Sequence, residues 1–192
     1  MIRDDARGYG IVSRVLHWTV AALILWQITG MILKQLLGRT SLMGFWVGTH
    51  ASVGTLLLVL ILLRAFWALG QRKRRPSHPG GLLGRLATAG HLALYALMLV
   101  VPTLGVLRMA GGTRPIALFG VGLRGPATDP VRWMTAPANL LHGTLAWLLL
   151  ALILGHVALA LVHHFVWKDG TLGLMLTSVR TRRVRAGAAR GQ

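Results

Sequence analysis

The sequence contains no cysteine. That excludes disulfides, thiolate catalysis, iron–sulfur ligation and the covalent attachment of a c-type haem. Acid is almost as scarce: the only carboxylate side chains are Asp4, Asp5, Asp129 and Asp169, against 21 Lys and Arg, for a formal net charge of +17. None of the four falls inside a long apolar run. A carboxylate-bearing metal cage, a proton pump or an ion transporter would want an acid there, so all three readings are disfavoured. Charged residues make up only 13% of the chain, against about 25% in an ordinary soluble domain. The basic residues lie between or beside apolar runs rather than across a soluble face, so the positive charge does not read as a nucleic-acid surface.

What is present is apolar sequence: 54% of residues are hydrophobic. Four stretches reach the roughly 20 residues a membrane-spanning helix needs. They run over 11–36, 44–69, 86–109 and 138–166. The fold expected is an all-α integral membrane four-helix bundle forming one membrane domain over 1–192. The first run is too long for a signal-peptide core and lacks a small-residue cleavage site, so it reads as a retained span. Pro102 and Gly105 fall inside the third run, where a buried spanning helix tolerates them and Pro102 can kink it. The loop 71–81 is short, basic and turn-rich. The loop 110–137, dense in Gly and Pro, is expected to be irregular or to hold one short surface helix. Residues 177–192 read as a flexible basic tail. Fifteen Lys and Arg gather on the side of the N-terminus, the 71–81 loop and the tail, and six on the other. The positive-inside rule then puts both termini in the cytoplasm of a multi-pass inner-membrane protein.

Seven of the eight histidines, His17, His50, His91, His142, His156, His163 and His164, lie in or at the edge of these runs, with His78 in the basic loop. Ionisable residues in spans are rare, costly and usually functional, although a single one can serve only as a hydrogen bond between helices. His142 and His156 are fourteen residues apart, which brings them back to within about 40° of one face and separates them by about 21 Å along the axis. One histidine then sits near each side of the membrane. His17 lies near the cytoplasmic start of the first span and His50 near the outer start of the second. Depth pairs His17 with His156 on the inner side and His50 with His142 on the outer side. Two histidines facing each other across a bundle core can take both axial positions of a haem iron, so the set predicts two haem b groups in the core. A six-coordinate iron favours electron transfer over oxygen binding. Gly48, Gly54, Gly143 and Gly155 stand beside these histidines, either to admit a flat macrocycle or to pack helices closely.

Several ordered motifs accompany them: Leu16-His17-Trp18, His50-Ala-Ser-Val-Gly54, Gly90-His91-Leu92, Pro102-Thr-Leu-Gly105, and His163-His-Phe-Val-Trp-Lys-Asp169. With His142 and His156, this set resembles the bacterial cytochrome b561 family over about residues 13–176, in particular its short, free-standing kind with superoxide oxidase activity. The resemblance implies a diheme membrane cytochrome whose axial ligands are His17, His50, His142 and His156. It implies oxidation of superoxide on the periplasmic side and passage of electrons through the haems to ubiquinone, with His163 as a quinone contact. His91 is either a quinone or propionate contact or a packed polar residue.

The outer loops carry six basic residues and the single acid Asp129, and a positive surface raises the local concentration of a small anion. Arg108, Arg114, Arg124 and Arg132 are the candidates for attracting superoxide, with haem propionates or lipid phosphates as their alternative partners. Trp18, Trp26, Trp46, Trp67, Trp147 and Trp167 read as interfacial or lipid-facing anchors, His78 as a solvated loop residue, and at most one of His163 and His164 as facing the core. The partners expected are superoxide, ubiquinone and the lipid bilayer, with the chain a monomer or weak homodimer. The competing function is a membrane-anchor electron-transfer subunit fed by a dehydrogenase or hydrogenase partner.

Overall fold

The computed structural model describes residues 2–6, 8–38, 40–75 and 80–176. His78 and the basic tail from residue 177 lie outside the described residues. Four long helices dominate: α1 (Ile11–Leu37), α2 (Ser41–Gly70), α3 (Gly81–Gly111) and α4 (Arg132–Val162). Each is long and apolar enough to cross a membrane, and α4 runs on through a π-turn (His163–Trp167) before a short α5 (Thr171–Leu176). Helices suit these runs because in hydrocarbon every backbone N–H and C=O has to be satisfied within the segment.

The chain rises through α1, turns at Gly38 in a positive-φ conformation (φ 68°), and starts α2 where the Thr40 side chain accepts from the Met43 N–H at 3.3 Å. It returns through a short 3-10 turn (Arg72–Arg74) and rises again in α3. The helices pack in chain order: α1 on α2, α2 on α3 and, most extensively, α3 on α4. Helices α1 and α4 scarcely touch. Most of the described lipid-facing surface is Leu, Val, Phe and Trp, left exposed as expected for helices solvated by acyl chains.

The core is one apolar cluster at mid-height: Val20 and Ile24 of α1, Leu57 and Ile61 of α2, Leu94, Met98 and Val101 of α3, and Leu149 of α4. Leu149 is seven residues from both His142 and His156. The cluster therefore forms a layer between the histidines at the two ends of the bundle.

Three expectations change. The loop after α3 holds a β-hairpin, β1 (Ile116–Leu118) and β2 (Val121–Arg124), rather than irregular chain or a surface helix. Its two-residue turn, Phe119 and Gly120, has φ 51° and 83°, the positive values that match the twist of paired strands. Helix α4 starts at Arg132, so Pro137 lies inside it at the sixth position, where a proline has no N–H to donate to the carbonyl four residues back, and the helix forgoes one hydrogen bond. Trp26, Trp46 and Trp67 are not lipid-facing anchors. Trp26 and Trp46 stack at 4.4 Å between α1 and α2, Trp46 Nε1 donates to the Trp26 carbonyl at 3.0 Å, and Trp26 Nε1 to Thr49 Oγ1 at 3.2 Å. Trp67 Nε1 donates to Ser13 Oγ at 2.9 Å. An indole N–H in a span is better used between helices than left in lipid. Trp18, Trp147 and Trp167 are exposed.

A buried acid ties down the N-terminal segment. Asp4 accepts from the Gly10 N–H at 2.8 Å and from Ser13 Oγ at 2.7 Å, and pairs with Arg75 Nε at 3.1 Å. One carboxylate thus joins the start of α1 to the chain that follows α2.

Gly30 is where α1 admits the tryptophan stack: a Cβ there would lie 2.0 Å from Trp46 Cδ1. Gly30→Ala should force the stack apart and cost about 1–3 kcal/mol of stability, the usual range for overpacking. The check is a lowered unfolding midpoint in detergent together with a changed tryptophan emission; an unaltered midpoint would show that the stack yields freely.

Candidate haem-binding histidine layers

At the hairpin end of the bundle, α2 and α4 bring His50 and His142 together. Their ring centroids are 6.1 Å apart and their planes stand at 82°. Two imidazoles bound trans to one metal at about 2.0–2.1 Å each, with about 1.1 Å from nitrogen to ring centre, would be separated by roughly 6.3 Å. The pair therefore fits a bis-histidine iron, and perpendicular rings are compatible with a shared axis. His142 Nδ1 donates to the Val101 carbonyl at 2.9 Å, which leaves Nε2 as the lone-pair nitrogen suited to a metal. Gly105 makes room for that ring: a Cβ there would meet His142 Cε1 at 3.1 Å. His50 Nδ1 is buried without a hydrogen-bond partner, while Gln27 Nε2 donates to the His50 carbonyl at 2.9 Å and holds its turn. An orphaned buried nitrogen beside a metal-suited partner is consistent with a site that a cofactor completes.

The hairpin closes over this end. Its Phe119 N–H donates to Ser52 Oγ at 2.9 Å, and Ser52 is a buried residue of α2 two positions beyond His50. Arg124 pins the hairpin to the end of α3: its guanidinium donates to the carbonyls of Ala110 at 2.5 Å, Gly112 at 2.6 Å and Arg114 at 3.2 Å. Ala110 lies in the last turn of α3 and Gly112 is its C-cap, so the guanidinium meets carbonyls left unpaired at a helix C-terminus and the negative end of the dipole, and reaches on to the loop carbonyl of Arg114. Of the four arginines expected to attract an anion, Arg124 is thus committed to backbone carbonyls. Arg108, Arg114 and Arg132 are exposed.

At the termini end, three histidines gather. His91 and His156 lie edge to face at 5.4 Å, and His17 is within electrostatic range of both. His91 Nδ1 donates to the Ala87 carbonyl at 2.7 Å. His17 differs from His142 in its partner: Arg64 Nη2 donates to His17 Nδ1 at 2.9 Å, and the Arg64 guanidinium carbon lies 5.3 Å from the centre of the Tyr95 ring. Among the described residues no group of three or more His, Asp or Glu has the geometry of a metal cage.

Gly48, Gly143 and Gly155 do not serve helix packing, since a Cβ on any of them meets nothing within 4 Å. Gly54 faces Gln27 at 3.1 Å. His163 stands in the π-turn, a form frequent at functional sites. It is partly exposed, with its neighbour His164 more so. His163 Nδ1 pairs with Asp169 Oδ2 at 2.5 Å, and its ring meets the edge of Trp167 at 4.4 Å. Lys168, in the left-handed conformation at φ 51°, turns the chain back so that Asp169 reaches the ring. The Asp169 carboxylate also accepts from the Thr171 N–H at 2.9 Å. Hydrogen bonds from Thr171, followed by the His163 bond, hold its pKa down at about 2.

Residue types and spacing pointed to the histidines, and the motif Pro102-Thr-Leu-Gly105 to Gly105, but assigned no role at the site to Arg64, Gln27 or Asp4. Arg64 carried a signal, because a cation six residues inside the end of an apolar run is more than a flanking charge.

The sequence model of one family, described as prokaryotic cytochrome b561, matches residues 8–178. Cytochrome b561 homolog 2 of Escherichia coli (strain K12) is 30% identical over 88% of this chain and 90% of its own length. Probable superoxide oxidase CybB of Yersinia pestis is 27% identical over 91% of this chain and 98% of its own. Cytochrome b562 of Cereibacter sphaeroides is 30% identical over 88% and 95%.

The depressed Asp169 carboxyl has a pH consequence. A group whose folded pKa is lowered contributes stability above its unfolded value, about 3.9, and loses it as pH falls through its folded value. The turn at 167–171 should hold its form through pH 4 and loosen only as pH approaches about 2. A carboxyl-carbon NMR titration of Asp169 with a midpoint near that of free aspartate would contradict this.

Proposed function

The chain belongs to the prokaryotic cytochrome b561 family of electron-transferring membrane haem proteins, and from that premise we propose that it is a diheme superoxide:ubiquinone oxidoreductase of the inner membrane. In this reading both termini are cytoplasmic and the hairpin end is periplasmic. His50 and His142 hold the outer haem b iron, and His17 and His156 the inner one. The observation that carries the reading is the His50–His142 pair, whose 6.1 Å separation and perpendicular rings suit two axial imidazoles of one iron. The height of Leu149 midway between His142 and His156 supports a second site one layer below. Haem held by these histidine pairs would supply one-electron transfer.

The remaining roles belong to side chains. Arg108, Arg114 and Arg132, exposed at the hairpin end, raise the local concentration of superoxide. Arg124 instead fixes the hairpin over the outer pair. Two superoxide ions each give up one electron and leave as oxygen. One ubiquinone takes the two electrons with two protons. His163 contacts the quinone at the cytoplasmic end, with Asp169 holding its Nδ1 proton and so aiming Nε2 outward. Its partial exposure on the flank of the bundle suits a ligand that arrives through lipid. His91, set against His156, is a neighbour of the inner site rather than a ligand in this assignment. The family resemblance of a probable superoxide oxidase supports the choice of substrate.

His50→Ala should reduce haem content from two per chain to one, measured by pyridine haemochrome on purified protein; two haems retained would overturn the outer assignment. Stopped-flow mixing with superoxide should reduce the haem spectrum quickly, followed by reoxidation that depends on added ubiquinone. His163→Ala should slow that second phase by roughly a hundredfold, the lower end of the range for a lost proton-transfer group, and leave the first. Absence of any reduction by superoxide would instead favour a membrane subunit supplied by a soluble redox partner.

A further inference from the structure

Arg64 stands six residues before the end of α2, about 9 Å along the helix axis, at the height of the histidines of the termini end. A guanidinium stays charged in any protein environment, and at such a depth it is costly unless paired. Yet among the described residues no carboxylate lies within salt-bridge distance of it. Asp4 is taken by Gly10, Ser13 and Arg75; Asp5 accepts from the Gly8 N–H; Asp169 holds His163 and Thr171; Asp129 lies in the loop at the opposite end. The contacts Arg64 does make are a hydrogen bond to His17 Nδ1 at 2.9 Å and the face of Tyr95. Both are neutral groups, and the bond uses one of five N–H donors. The charge is therefore held in place without being compensated.

The nature of the His17 bond adds a second argument. At His142 the Nδ1 partner is a carbonyl, which can only accept, so Nε2 is free to bind a metal. At His17 the Nδ1 partner is a guanidinium, which can only donate. A ring that binds iron through Nε2 carries its proton on Nδ1, and Arg64 cannot donate to that nitrogen. Ligation by His17 thus releases the guanidinium within reach of whatever His17 binds.

We propose that Arg64 is an anion-binding residue whose ligand is a carboxylate side chain of the haem held by His17 and His156. The planar fork of a guanidinium matches a carboxylate with two parallel hydrogen bonds, and such a pair compensates both charges at once. This inference rests on the diheme reading given above. It also assigns Arg64 an electrical effect. A fixed cation beside the inner haem stabilises the added electron and so raises the inner potential relative to the outer one.

The test compares purified Arg64→Met and Arg64→Lys with the unaltered protein, by haem content, by optical redox titration resolving two midpoints, and by the rate of haem transfer to apomyoglobin. Arg64→Met should lower one midpoint by at least a tenfold change in its reduction equilibrium, about 59 mV for a one-electron couple, and leave the other in place. It should also speed release of one haem. Arg64→Lys, which keeps the charge and loses the fork, should largely restore the midpoint while still releasing haem faster than the unaltered protein. Two unchanged midpoints with unchanged haem release in Arg64→Met would overturn the assignment. If that variant does not accumulate, Arg64→Lys decides: haem release as slow as in the unaltered protein overturns it. An unaltered protein that binds no haem, or only one, would defeat the diheme reading itself, an outcome the haem measurement separates from failure at Arg64.

Discussion

A peptide backbone in hydrocarbon has no water to satisfy it, and this constraint governs the molecule. Each crossing has to be a helix with its hydrogen bonds closed inside the segment. A helix rises by a constant 1.5 Å per residue, so sequence spacing becomes height in the membrane. Fourteen residues between His142 and His156 become about 21 Å, with Leu149 at the midpoint. The neighbouring helices supply apolar residues at that level and polar residues above and below. The two histidine layers and the layer between them follow from rigid rods placed side by side.

The two ends of the bundle are then finished differently. The hairpin end is closed by a turn anchored on Ser52 and a guanidinium spent on helix-terminal carbonyls. The termini end is tied by Asp4, the one deeply buried acid, which gathers the N-terminal segment, α1 and the chain after α2. Beyond it the π-turn presents His163 with its own carboxylate. One end is sealed by backbone contacts, the other built from paired charges and proton-carrying groups.

The spans and the heights of His17, His50, His142 and His156 were legible because both depend on one-dimensional quantities, apolar run length and residue count. Features that depend on which side chain meets which were not. The hairpin lacks the usual Asn-Gly signal, since its turn places Phe119 in a positive-φ conformation that few phenylalanines adopt, sustained by a hydrogen bond to a helix distant in sequence. Pro137 looked like a boundary but sits in the second turn of α4, which continues past it at the loss of one backbone hydrogen bond. Trp26 and Trp46 looked like surface anchors, and only the absence of a side chain at Gly30, one turn beyond Trp26 on α1, lets Trp46 of α2 stack inside. The role of Arg64 was not legible because its partner His17 lies 47 positions earlier.

The mid-height layer has a consequence for protons. Val20, Ile24, Leu57, Ile61, Leu94, Met98, Val101 and Leu149 offer no group that can donate or accept one. An electron can tunnel across such a layer, whereas the side chains of its eight buried residues give a proton no group to hop through. On the proposed reading, protons consumed at one end would be drawn from the water on that same side. On the proposed diheme reading, electrons moved between the histidine layers would travel without accompanying protons, and the redox chemistry would be coupled to the membrane voltage, at about 2.3 kcal/mol per charge for each 100 mV fully crossed.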